Sequence, residues 1–209
     1  MEQNESAYPV RFTVDYPDRP LNRLSTFFRL LTAIPMLIIF GLMTGDSDTL
    51  DSVIKVGGVA GGVLFLPVLL MILFRRKYPK WWFDWNFALQ KFENRVSAYV
   101  FLLRDECPST DEDQAVHLEL PYPDAATELN RWLPLIKWLL AIPHYVALIV
   151  LSVVGLVAVI VAWFVIIFTG RYPAKLFTFV VGLLRWYNRV AAYAFLLVTD
   201  RYPPFRLSP

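Results

Sequence analysis

Apolar positions in this chain are arranged in short alternating stretches and in long unbroken runs, and the two kinds follow one another in the same order twice. Residues 8–15 alternate Val10, Phe12 and Val14 with Arg11, Thr13 and Asp15, the period of two that predicts a short half-buried strand. Tyr16-Pro-Asp-Arg-Pro20 has turn chemistry, and Asn22 is placed to cap a helix. From Leu24 to Met43 the chain is almost continuously apolar, with Arg29 as the interruption and a kink expected at Pro35. About 20 such residues match the hydrocarbon thickness, which predicts a first transmembrane helix. A short acidic loop, Gly45 to Asp51, separates it from a second apolar run, Val53 to Phe74. Gly57, Gly58, Gly61 and Gly62 form two overlapping Gly-x-x-x-Gly pairs there, a face on which another helix can pack closely. No Gly-Lys-Ser/Thr follows, so a phosphate-binding loop is not expected.

The next helix, Lys80 to Leu103, has a different pattern. Asp84, Lys91, Arg95 and Ala98 fall along one stripe, while Trp81, Trp82, Trp85, Phe92, Val96 and Tyr99 cover much of the rest. This predicts an interfacial amphipathic helix lying in the headgroup plane. A third span would bury Lys91, Glu93 and Arg95 near the bilayer centre, each costing roughly 2.5–3.5 kcal/mol on insertion scales. Residues 105–114 are acidic and polar, a hydrophilic joint; Cys107 lies there with neither histidine near it in sequence.

The pattern then restarts. Val116-His-Leu-Glu-Leu120 alternates as the first strand does, Tyr122-Pro-Asp124 repeats Tyr16-Pro-Asp18, and Leu129-Asn-Arg131 repeats Leu21-Asn-Arg23. Lys137 falls where Arg29 stands, and Ala141-Ile-Pro143 repeats Ala33-Ile-Pro35. Trp132 to Phe168 is too long for one span and fits two with a tight turn near Ser152 to Gly155. A final helix, 174–198, carries Arg185, Asn188, Arg189 and Ala192 as its polar stripe. The expected fold is an all-α integral membrane protein of two tandem repeats, 1–104 and 115–209, joined by the linker 105–114. Each repeat is a transmembrane helical hairpin plus an interfacial amphipathic helix, with short cytoplasmic β-strands. Two crossings per repeat make the repeats parallel, related by a pseudo-twofold axis along the membrane normal. Apart from Lys55, the basic residues sit outside the hairpins or in the first turns of their helices, which predicts both termini in the cytoplasm.

The repeated Tyr-Pro-Asp, Ala-Ile-Pro, Gly-Arg-Tyr-Pro and Asp-Arg-Tyr-Pro-Pro-Phe signatures resemble a bacterial membrane family known as domain-of-unknown-function family 4389. The likeness is close over residues 115–205. It is looser in the first half, where Arg75-Arg-Lys77 stands for Thr-Gly-Arg and Asp105-Glu-Cys-Pro108 for the Asp-Arg-Tyr-Pro ending. The resemblance implies a bacterial inner-membrane location and assigns an activity to no residue.

Composition agrees with lipid as solvent: 56% of the 209 residues are hydrophobic and 18% charged, below the roughly 25% of soluble domains. The mean hydropathy is +0.46. A net charge of +2 gives no reason to expect nucleic acid. The single cysteine excludes an internal disulfide framework, and the first residues lack the basic start and apolar core of a signal peptide. No serine-hydrolase elbow, His-x-x-x-His or Cys-x-x-Cys occurs, so no catalytic set, metal or cofactor is expected. His144 is expected to be a hydrogen-bonded packing residue. Arg29 and Lys137, two turns into their helices, either bind an anion or lipid phosphate or snorkel to the headgroups. Arg95, Arg189, Asn94 and Asn188 either hold anionic headgroups or cap the neighbouring Tyr-Pro turns. The expected function is that of a non-enzymatic accessory or scaffold subunit of a membrane assembly, whose partners are the phospholipid bilayer and other membrane proteins or further copies of itself. A small channel or transporter, or a lipid-handling protein, is the alternative.

Overall fold

The computed structural model describes residues 8–29, 31–35, 38, 65–110 and 112–209. The expected acidic loop at 45–51, most of the first hairpin, and Gly57, Gly58, Gly61 and Gly62 lie outside the described residues. Within them the order is β1 (Arg11–Val14), α1 (Arg23–Phe27), α2 (Phe65–Arg75), α3 (Lys80–Val100), β2 (Val116–Glu119), α4 (Pro134–Leu140), α5 (Ile142–Thr169) and α6 (Ala174–Ala194).

The two strands pair with each other. They run antiparallel, with Arg11 opposite Glu119 and Phe12 opposite Leu118. Phe12, Val14 and Leu118 are buried, whereas Arg11, Thr13, His117 and Glu119 face out. Asn22 caps α1, its side chain accepting from the amides of Leu24 and Ser25 at 3.0 and 3.2 Å.

Helix ends follow the turn signals. α5 stops at Gly170, whose φ of 74° supplies the left-handed residue that closes a helix. Arg76 takes the same conformation after α2, with φ of 49°, so the departure from Gly at that position is accommodated by an arginine. Pro79 and Pro173 then start α3 and α6, both extended at the N-cap.

α3 and α6 form the centre. α6 runs antiparallel to α5: Ala141 packs with Tyr193 and Ala194, Gly155 with Leu183, and Ile166 lies in the cluster of Phe177. The buried residues of α5 are His144, Gly155, Ala158, Ala162 and Ile166. Most of them are small, and small residues let helices approach closely. The same cluster takes in Val10, Phe12, Val14 and Leu118 of the sheet layer. α2 brings Val68, Leu69 and Ile72 against Ala191, Leu196 and Leu197.

Two expectations are corrected. Residues 142–169 form one helix of 28 residues, not a hairpin with a turn at Ser152 to Gly155. Neither residue forces a break: the Ser152 hydroxyl donates to the Ile149 carbonyl at 2.8 Å, and Gly155 makes room for Leu183. The polar stripes of α3 and α6, expected at the headgroups, are turned inward instead. Arg95, Ala98, Arg185, Asn188, Arg189 and Ala192 are buried, and only Asp84 is fully exposed, with Lys91 half-buried. Backbone carbonyls accept from the arginines, and Asn188 pairs with Asn94.

Gly182 sits under the C-terminal segment, and a Cβ there would stand 2.9 Å from Leu207 Cβ and 3.0 Å from its carbonyl oxygen. Because one of those atoms is backbone, Gly182→Ala is expected to cost about 1–3 kcal/mol. It should lower the thermal midpoint in detergent and speed tryptic cleavage after Arg206. Unchanged values of both would show that the segment is not seated there.

Candidate functional site

The polar residues nominated by the sequence fall into three arrangements. The first is the crossing of α3 and α6. Asn94 Nδ2 donates to Asn188 Oδ1 at 2.8 Å, and Asn188 Nδ2 donates to Asn94 Oδ1 at 2.7 Å. Each amide also donates to the carbonyl one turn back on its own helix, Gln90 and Leu184, at 2.8 Å. Gln90 Nε2 donates to Glu93 Oε2 at 2.9 Å. All of these side chains are buried.

The second is a pair of cations, each clamped separately. Arg29, 2% exposed, donates through Nη1 to the Arg104 carbonyl at 3.0 Å and through Nη2 to the Asp105 carboxylate. Its guanidinium lies 4.2 Å from the centre of the Tyr99 ring. Lys137, fully buried, places Nζ 2.6 Å from Asp200 Oδ1 and 2.8 Å from the Thr199 carbonyl, with Tyr193 at 5.2 Å. Each carboxylate has a second task. Asp105 Oδ2 accepts from the Asn22 amide and Asp200 Oδ2 from the Asn130 amide, both at 2.6 Å. The carboxylate therefore ties a buried cation to the segment that leads into α1 or α4. Each cation is already paired within the chain.

The third arrangement is that of Arg95 on α3 and of Arg185 and Arg189 on α6, which meet different segments. Arg189 donates to the carbonyls of Arg206 and Ser208 at 3.2 and 2.8 Å, and Arg95 to that of Ser109 at 2.5 Å. Arg185 donates to Phe12 at 2.9 Å and Leu207 at 2.9 Å. These guanidiniums satisfy backbone carbonyls that follow the helices and one in β1. His144 is buried, accepts from Trp186 Nε1 at 3.1 Å and stacks on Phe205.

The sequence reading missed Asp105, Asp200, Tyr99, Tyr193 and Glu93. The signal for the two aspartates was present: Asp105 and Asp200 open matching stretches behind matching helices. An open cleft of ≈ 640 Å³ between the strands and α3 is lined by Tyr8, Arg11, Phe87, Lys91 and Glu119. Among the described residues no group of three His, Cys, Asp or Glu could hold a metal ion.

The described residues form a mostly helical fold with a small two-stranded sheet, and among them one helix is long and apolar enough to cross a membrane. Residues 132–206 match the family model described as Domain of unknown function (DUF4389), so the resemblance holds for the second half, and residues 1–131 lie outside the match. No curated protein and no solved structure matches the chain.

Burial pushes the Glu93 carboxyl up to about 8, from 4.5, against the opposing pull of the Gln90 hydrogen bond. The folded chain thus keeps a proton that the unfolded chain releases above pH 4.5. The stability Glu93 contributes is fullest below that pH, is lost as pH rises to 8, and is level beyond it. The slope in that window is about 1.4 kcal/mol per pH unit. Thermal midpoints taken from pH 6 to 8 should fall by several degrees for the natural chain and stay level for Glu93→Gln. Parallel profiles would refute this role.

Proposed function

We propose that this is a non-enzymatic protein of the bacterial cytoplasmic membrane, an accessory or scaffold subunit of a larger membrane assembly. The observation that carries this reading is where the polar groups are spent. The buried cations Arg29, Lys137 and Arg189 are engaged by Asp105, Asp200 and backbone carbonyls. What the chain turns outward is surface, above all the apolar side of α5, where Ile149 is 64% and Phe168 76% exposed. Channel and lipid-handling readings need open cations, and Arg29 and Lys137 do not supply them.

We also propose that the chain is one unit copied once, at 1–104 and 115–209, with both termini cytoplasmic. Matching features in the two halves support this. Left-handed residues stand at 76 and 170 and again at Leu102 and Leu197. Buried cations at 29 and 137 meet aspartates at 105 and 200. The Tyr16 hydroxyl donates to the Tyr172 carbonyl, as the Tyr122 hydroxyl, at 2.5 Å, donates to that of Tyr78. Those last two bonds each reach from one half into the other.

Purification under native conditions in mild detergent, with mass spectrometry of proteins and lipids, tests the scaffold reading. Membrane proteins that recur in stoichiometric amounts are expected. A discrete species containing this chain alone would contradict it.

A further inference from the structure

Length and composition let α5 cross a bilayer, but what is packed behind it constrains how it meets lipid. Gly155, at the middle of α5, touches Leu183. Two residues further along α6, Arg185 holds the Phe12 carbonyl of β1 at 2.9 Å. Two residues turn about 200° around a helix, so α5 and the sheet lie on roughly opposite sides of α6 at the same level. The sheet's outer face is charged and wet. Arg11 and Glu119 face each other there with side chains 70% and 71% exposed, and the His117–Asp15 pair is similarly open.

Were α5 to stand along the membrane normal, its middle would lie at the bilayer midplane and the sheet would lie there too. Four ionisable side chains would face hydrocarbon, where charge is costly. A two-stranded sheet also has two edges, and lipid-exposed sheet edges do not occur at that depth because nothing there satisfies their amides and carbonyls. Laid parallel to the surface, the same layers separate cleanly into an apolar side on lipid and a charged side on water.

We propose that α5 lies in the plane of the cytoplasmic leaflet, its exposed face of Val146, Ile149, Val153, Val157, Phe164 and Phe168 among the acyl chains. This orientation rests on the membrane reading above and gives it a defined lipid partner, a leaflet containing anionic headgroups. Charge placement fits that partner. Arg171 and Lys175 are exposed just past one end of the helix. Arg131 lies over Trp132 near the other, where Trp132 and Trp138 are 64% and 48% exposed. Basic residues and tryptophans at headgroup depth flanking an apolar face are the features of an in-plane helix. α2 and α4 also expose apolar residues, Leu66 and Phe74 on the one and Ile136 and Leu139 on the other.

The test uses the full chain carrying Cys107→Ser, with single spin labels at Val146→Cys, Val153→Cys, Val157→Cys, Phe164→Cys and Phe168→Cys. It is reconstituted into vesicles of phosphatidylethanolamine and phosphatidylglycerol, and depth is read from collision rates with oxygen and with a water-soluble nickel complex. In-plane seating predicts lipid-phase values at all five sites within about 5 Å of one depth. A crossing helix rises ~1.5 Å per residue, so depth would change by about 15 Å between 146 and 157 and become shallow again by 168. That profile would overturn the orientation while leaving the membrane reading intact. Access to nickel along the whole face would overturn both, and exclusion of both probes would show that protein, not lipid, covers it.

Discussion

Two carboxamides exchange hydrogen bonds at the centre of this molecule, Asn94 on one long helix and Asn188 on the other, and much of the rest is arranged so that they can be buried. Each amide also returns a bond to its own helix backbone, so every strong donor at the crossing has an acceptor. A buried polar group left without one costs about 1–3 kcal/mol, which makes the crossing specific. Sliding α3 along α6 by one turn would unpair both side chains at once. Around this seam the arginines at 95, 185 and 189 reach outward to carbonyls of the flanking segments, which fixes those segments to the same two helices.

The clamped cations extend the logic to the periphery. Breaking a buried ion pair by removing one partner generally costs 3–5 kcal/mol, since the remaining charge is left without compensation. Arg29 with Asp105 and Lys137 with Asp200 therefore act as fixed joints between the end of a long helix and the beginning of a short one. The carboxylates reach back to the amides of Asn22 and Asn130, which sets the path of the chain where it enters α1 and approaches α4.

Much of this was legible in the residues and some was not, for reasons that can be named. Alternation marked both strands, Asn22 marked a helix start, and Gly-Arg-Tyr-Pro marked the turn into α6. Periodicity shows that a helix has a polar stripe but not what the stripe meets. Arg185 and Arg189 meet backbone carbonyls and Asn188 meets Asn94, partners from distant segments that periodicity does not show. The apolar run through 142–169 is similarly ambiguous. Length suggested a hairpin, yet Ser152 and Gly155 are weak breakers, and the packing of Gly155 against Leu183 rewards a continuous helix. The aspartates were hidden in stretches read as linker and tail, although their alignment behind matching helices was visible.

Paired substitution measures the central seam directly. Asn94→Leu, Asn188→Leu and the double variant would be compared by equilibrium unfolding in mixed micelles. Reciprocal hydrogen bonding predicts that each single change costs about 1–3 kcal/mol and that the double costs less than their sum by at least about 1 kcal/mol. Single effects that simply add, to within about 0.5 kcal/mol, would mean that the two side chains do not meet, and the account of the fold built on their contact would not stand.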